Sequence, residues 1–359
     1  MNSYKVPIKN ALFMYSYIWD RTRKDEIIDL SDKDDFNFSD LYAELFLMNI
    51  KKIIKKGLHR EYVNRHEDTS AVRGRIDYRE TITKQALNKG KVYCDFDEYE
   101  ENNQMNQILK YTAILIYKSK GISQSNKKRL RNVIGLLSSI DYKECSLRDF
   151  AGIRLNRNNE YYLFILKICE LIIKSSMLNE EDGSFSFYNI FEDDEEMHNV
   201  FELFVYRFYE QELPKNYKVR FQHQMKFNVE GDDISRLPVM KMDTEVISDT
   251  EDIIIDTKYY RNYLQSNQGN EKFISSNIYQ MMAYLNNINT DRECLRGILL
   301  YPKPYDGESV SQEYKLSVVS AGVIKPATIE FITIDLGKDW EEIASDMKGI
   351  IKKNGSSIF

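Results

Sequence analysis

The chain has 359 residues, more than one hydrophobic core usually organises, so two domains are expected. Its 42% hydrophobic and 30% charged residues fit a soluble globular protein, and a formal net charge of −6 argues against a protein that coats nucleic acid through its overall charge. Four scattered cysteines, with no CxxC pair and no histidine at zinc-finger spacing, argue against a disulfide framework or structural zinc and point to a reducing cytoplasm.

Residues Val6 to Asp20 read as a short extended piece followed by an aromatic-rich helix, in which Phe13, Tyr15, Tyr17 and Trp19 anchor the N-terminus in a core. The charge-dense stretch Arg21 to Asn37 reads as a loop. Ser39 is placed to cap a helix with Leu41, Leu45, Met48 and Ile53 on one side, ending at Gly57. Its last turns carry Lys51, Lys52, Lys55 and Lys56, which suit a solvated helix end or, alternatively, a DNA contact. Tyr62, Val63, Ile76 and Tyr78 suggest strand segments around the tight basic piece Arg73-Gly74-Arg75. A strand is expected over Val92 to Tyr99, then helices over Asn103 to Lys118, Ser123 to Leu137 and Asn158 to Ser176. The second helix carries Lys127, Lys128, Arg129 and Arg131, and is read as solvated by default. The most apolar run, Tyr161 to Ile173, is interrupted by Lys167 and Glu170 and is a buried helix rather than a membrane span. A linker is placed at Leu178 to Asp194, between a domain over 1–180 and another over 195–359.

The second domain opens with a helix over Glu195 to Leu213, stopped by Pro214, with Phe201, Phe204, Val205 and Phe208 as its buried stripe. A strand is expected over Tyr217 to Val229. From Leu237 to Tyr260 the chain reads as two strands joined by an acidic turn, the second being the unbroken apolar run Ile253-Ile254-Ile255. Alternation puts Asp256 and Lys258 on one face and Thr257 on the other, while Asp243 stands thirteen residues before Asp256 on the preceding strand. Two carboxylates that converge beside an ammonium suit a hard cation and an activated water. The alternative is that all three are solvated strand-end charges. A polar loop, a helix over Phe273 to Asn287, strands at Arg296 to Tyr301, Tyr314 to Val319 and Thr328 to Ile334, and a helix over Trp340 to Ile351 complete the chain. That order predicts an α/β domain with a central mixed sheet flanked by helices, behind an N-terminal α+β domain.

Asp243 with Asp256-Thr257-Lys258 resembles the Asp…(Asp/Glu)-x-Lys signature of restriction-endonuclease-like nucleases. With Tyr259-Tyr260 and the later Tyr279-Gln280-Met281-Met282-Ala283-Tyr284, the chain is similar to the McrC family, the nuclease subunit of a modified-cytosine restriction system. Arg73-Gly74-Arg75-Ile76-Asp77 resembles an element of the same family. Met242 stands where many relatives have Pro, and Asp256 where many have Glu.

The resemblance implies Mg²⁺, with Mn²⁺ as an alternative, held by Asp243, Asp256, the backbone carbonyl of Thr257 and Glu202. Lys258 would act on the water and the phosphoryl group, and Gln280 would orient the phosphate. It further implies an AAA+ GTPase ring, McrB, as partner. Arg73, Arg75 and Asp77 would contact that ring; the alternative pairs the arginines with neighbouring acids such as Glu67, Asp68 and Glu80. The substrate implied is double-stranded DNA with modified cytosine; whether two nuclease subunits pair to cut both strands is left open by the sequence. No GxxxxGK[ST] loop is present, so nucleotide binding is assigned to the partner. An autonomous Mg²⁺ nuclease and a non-cleaving GTPase-stimulating adaptor are the competing readings.

Overall fold

The computed structural model describes residues 6–19, 38–178, 185–187, 190, 193–229, 234–260, 264–267, 270–304, 307–320 and 322–352. The chain forms two compact units, one over 33–188 and the other joining 1–32 to 189–359.

In the 33–188 unit, α2 (Phe38–Lys56), α4 (Gln104–Tyr117), α5 (Gln124–Leu136) and α6 (Leu163–Lys174) pack together. A three-stranded antiparallel sheet in the order β1 (Glu61–Thr69), β3 (Val92–Glu100), β2 (Arg75–Ile76) carries the short helix α3 (Tyr78–Thr83). Asn103 and Ser123 cap α4 and α5, each accepting a hydrogen bond from the backbone three residues on. Three sequence expectations change here. Ser39 lies inside α2 and donates to the Lys120 carbonyl instead of capping. Tyr78 starts a helix rather than a strand, because the Asp77 carboxylate accepts from the Glu80 amide and caps it. Part of the expected linker, Phe185–Phe187, is strand β5, which pairs antiparallel with β4 (Ser176–Leu178). Most of the rest of that linker, and the expected loop over Arg21 to Asn37, lie outside the described residues.

Gly74 is required at its turn. Its φ is +58°, and a Cβ there would sit 2.2 Å from the Asp95 carbonyl oxygen. Gly74→Ala is expected to destabilise this sheet by at least about 2 kcal/mol, combining left-handed strain with a backbone collision. Hydrogen exchange of the β1 and β3 amides measures it.

The other unit is built on a six-stranded mixed sheet, in the order β14 (Ser311–Ser320), β15 (Val323–Ile334), β13 (Cys294–Pro302), β10 (Glu251–Thr257), β9 (Thr244–Ile247), β6 (Lys218–Phe221). The β10–β13 and β13–β15 pairs are parallel, and the others antiparallel. Helix α7 (Asp194–Glu212) begins at the Asp193 cap, with Asp194, Glu195 and Glu196 favouring its dipole. Its Phe204 and Phe208 pack on Tyr17 of α1 (Ile8–Trp19), and Phe204 also meets Trp340 at the start of α9 (Trp340–Lys352). Phe13 stacks on Trp340 at 4.8 Å, and Asn10 donates to the Leu336 and Lys338 carbonyls. The expected first domain therefore loses its opening helix, because the apolar face of α1 is buried in the C-terminal unit. Phe13, Tyr15 and Tyr17 are buried as expected, while the Trp19 side chain lies outside the described set.

Helix α8 (Ser275–Asn287) lies on the face of β10 that carries Ile254, where Met281, Leu285 and Ile288 join Ile254 and Leu299 in one cluster. Gly297 of β13 permits the approach, since a Cβ there would meet Met281 Sδ at 2.5 Å. The expected polar loop before this helix contains an antiparallel pair, β11 (Leu264–Asn267) with β12 (Asn270–Phe273). Among the described residues no helix is long and apolar enough to cross a membrane, and all four cysteines are free thiols.

Candidate active site

The β9–β10 register places the candidate acids. Ile254 faces Glu245 and Ile255 faces Thr244, so one further step sets Asp243 opposite Asp256. The two strands part there, and the Asp243 carboxylate turns to the end of β10. Its Oδ2 accepts from both the Thr257 amide and the Thr257 hydroxyl, each at 2.8 Å. Thr257, expected to face away, is therefore the clamp that orients Asp243.

Asp256 is fully buried, and the Lys258 ammonium stands 2.7 Å from its Oδ2, as two residues on one strand face require. Its Oδ1 has no hydrogen-bond donor. A buried carboxylate oxygen without a donor is costly unless a proton or a cation completes it. Burial and then the Asp243 charge push the Asp256 carboxyl up to about 7, against the opposing pull of Lys258. At Lys258, burial pulls the ammonium down, but the charges of Asp256 and Asp243 outweigh it and hold it above its ordinary value. Lys258 is thus a persistent cation, suited to stabilising negative charge rather than to taking a proton.

Glu202 does not join the two aspartates. Its Oε1 accepts from Gln222 Nε2 at 2.9 Å, and among the described residues no group of three His, Cys, Asp or Glu side chains could hold a metal ion. Its charge still reaches Asp256, as the last of the influences that raise that carboxyl. Gln222 went unrecognised in the sequence. With φ +48° it breaks the expected strand over Tyr217 to Val229 into β6 and β7 (Gln224–Met225), and its amide donates to the Asp243 carbonyl at 2.9 Å. No glycine or proline marks that bend.

Gln280 donates to the Tyr284 hydroxyl at 2.7 Å, and Tyr284 donates to the Lys241 carbonyl at 2.7 Å. Residues four apart share a helix side, so the Gln280–Tyr284 spacing was the available signal for this link. It ties α8 to the strand β8 (Met240–Lys241) just ahead of Asp243. Burial, then the charges of Asp256 and Asp243 among other influences, lift the Tyr284 phenol to about 12, so it remains a donor.

The candidate partner residues form a separate group in the 33–188 unit. Arg75 pairs loosely with Asp95 at 3.6 Å with its side chain 85% exposed, and Arg73 with Glu98 at 3.8 Å. The neighbouring-acid alternative thus holds in kind, though with acids of β3 in place of Glu67, Asp68 and Glu80. Asp77 is occupied in capping α3.

A family model described as McrBC 5-methylcytosine restriction system component matches residues 9–302. A relative from Escherichia coli (strain K12), named type IV methyl-directed restriction enzyme EcoKMcrBC, is 25% identical over 347 residues, covering 96% of this chain and 97% of the relative. Among solved structures, the fold is similar to a chain in the refined half-complex from a tetradecameric assembly of Thermococcus gammatolerans McrB AAA+ hexamers with bound McrC. The TM-score is 0.60 at 16% identity, with 97% of this chain and 76% of that chain covered.

Proposed function

Because this chain belongs to the McrBC 5-methylcytosine restriction system component family, we propose that it is the system's nuclease subunit, cutting DNA phosphodiesters when docked on an AAA+ GTPase ring. The observation that carries the reading is the pair of neighbouring carboxylates Asp243 and Asp256, with a donorless buried oxygen on Asp256 and the Lys258 ammonium beside it.

These residues fit a hard divalent cation. Asp243 and Asp256 would hold Mg²⁺ or Mn²⁺, with the Thr257 carbonyl as a further oxygen ligand and Glu202 reaching in only if it leaves Gln222. When bound, the ion supplies Lewis acidity to the phosphoryl oxygen and to the attacking water. Lys258 stabilises the charge that builds on the phosphoryl oxygens in the transition state and helps orient the water. Thr257 fixes the Asp243 carboxylate, and the Gln280–Tyr284 link fixes the backbone that leads to it. Two such subunits would act together on a duplex, since one site of this kind cuts one strand. The exposed Arg73 and Arg75, held by the turn at Gly74, are the proposed contacts to the ring, with Asp77 setting the helix behind them.

Asp256 also sets a pH signature. Its native carboxyl is raised above the ordinary value near 3.8, so between about pH 4 and 7 the folded protein binds a proton that the unfolded chain has lost. Its contribution to stability therefore falls as pH rises through that window when no cation is present. Mg²⁺, which needs the ionised form, is expected to raise the melting temperature more at pH 8 than at pH 5.5. Asp256→Asn should remove that difference in a thermal-shift titration.

The docked reading is tested by incubating modified-cytosine DNA with Mg²⁺ and GTP, with and without the partner GTPase. Cleavage only with the partner supports it. Cleavage by the chain alone favours an autonomous nuclease, and GTPase stimulation without cutting favours an adaptor.

A further inference from the structure

A cavity of about 440 Å³ opens in the C-terminal unit near the start of β10, at the other end of the strand from Asp256, inside the range of small-ligand pockets. Asp252, Ile254 and Asp256 share one face of β10, and Glu245 faces Ile254 across the register, so Glu245 and Asp252 floor the cavity on the strand face that carries Asp256. At about 3.3 Å per residue, Asp252 lies roughly 13 Å along the strand from Asp256, the reach of a few nucleotides.

Both acids are almost wholly buried, at 1% and 2% exposed. Glu245 Oε2 meets Arg220 Nη1 and His223 Nδ1, each at 3.0 Å. Thr290 lines the cavity beside Asp252, whose Oδ1 has no hydrogen-bond partner. Around this acidic floor stand the cations Arg220, Lys226 and Arg292, with the Asp291 carboxylate beside Arg292. The wall is fixed, because Lys325 donates to the carbonyls of Thr290 and Arg292. The Arg220 guanidinium already answers the Glu245 carboxylate, so the floor leaves little charge for a further cation. An anion alone would meet two buried carboxylates. A ligand that answers both parts needs an anionic end for the rim and N–H donors for the floor.

Resting on the nuclease reading above, the geometry points to a site for one unstacked nucleotide of the DNA strand next to the cleaved bond, its phosphate on Arg220, Lys226 and Arg292 and its base edge donating to Asp252. The exocyclic amino and ring N–H groups of bases supply such donors, and carboxylates accept them in base recognition.

The test is calorimetric binding of dGMP, dAMP, dCMP and TMP to the full chain, against deoxyribose 5-phosphate and inorganic phosphate, with no metal and no partner. At least one nucleotide is expected to bind about tenfold or more tighter than either base-free probe, and Asp252→Asn and Arg292→Gln are each expected to weaken it by about tenfold. Arg292→Gln lies on a surface loop and serves if Asp252→Asn fails to fold. Equal binding of the base-free probes, no nucleotide binding, or a folded Arg292→Gln that binds as wild type would overturn the proposal. Since binding is read without cleavage, its failure is separable from failure of the nuclease reading, which is read with Asp243→Ala.

Discussion

Asp256→Ala is expected to lower DNA cleavage by at least about 10³-fold while leaving the sheet folded, because it removes one of the two neighbouring carboxylates and the partner of Lys258. A cation site supplies several kcal/mol of transition-state stabilisation, and each 1.36 kcal/mol is a factor of ten. The substitution also leaves the buried Lys258 ammonium without its partner, so a lowered melting temperature short of unfolding is expected in the metal-free protein. Single-turnover cleavage and a thermal melt, taken together, separate this from simple unfolding. A variant that melts normally and cuts at the wild-type rate would remove Asp256 from the chemistry.

The largest expected effect on stability lies elsewhere in the same sheet. Arg296 is buried to 1% exposure and donates through Nε to Glu330 at 2.7 Å, with Glu251 at 3.4 Å from Nη1. It also donates to the Ile350 and Ile351 carbonyls, binding the C-terminal end of α9 to the sheet. Arg296→Leu leaves Glu330 charged, buried and without that cation, a loss of about 3–5 kcal/mol by denaturant unfolding. Arg296→Leu with Glu330→Leu should recover much of it, since the desolvated charge goes as well. A single variant as stable as wild type would show that the pair contributes nothing.

The geometry of the candidate site was largely legible because strand geometry is. Alternation alone put Asp256 and Lys258 on one face, and the 2.7 Å ion pair agrees. The hairpin spacing brought Asp243 opposite Asp256. Features that depend on distant packing were not legible. The aromatic stripe of α1 announced burial but not its partner, which is Trp340 and α7 rather than the helices that follow it in sequence. The Thr257 side chain was placed by alternation alone, yet the strands part at Asp243 and the Thr257 hydroxyl clamps that residue. Glu202 was placed by resemblance, and Gln222 holds it instead, through a left-handed backbone position that no glycine advertised. Tyr78 looked like a strand residue because aromatic residues favour strands; the Asp77 cap overrode that preference.

On the proposed function, Asp243 serves a cation-dependent nuclease site and not the contact with the GTPase ring. The measurement that tests it most directly compares wild type with Asp243→Ala, following DNA cleavage and partner GTP hydrolysis in one reaction with Mg²⁺. Loss of cleavage with stimulated GTP hydrolysis intact is the predicted result. Cleavage at the wild-type rate by Asp243→Ala would contradict the account.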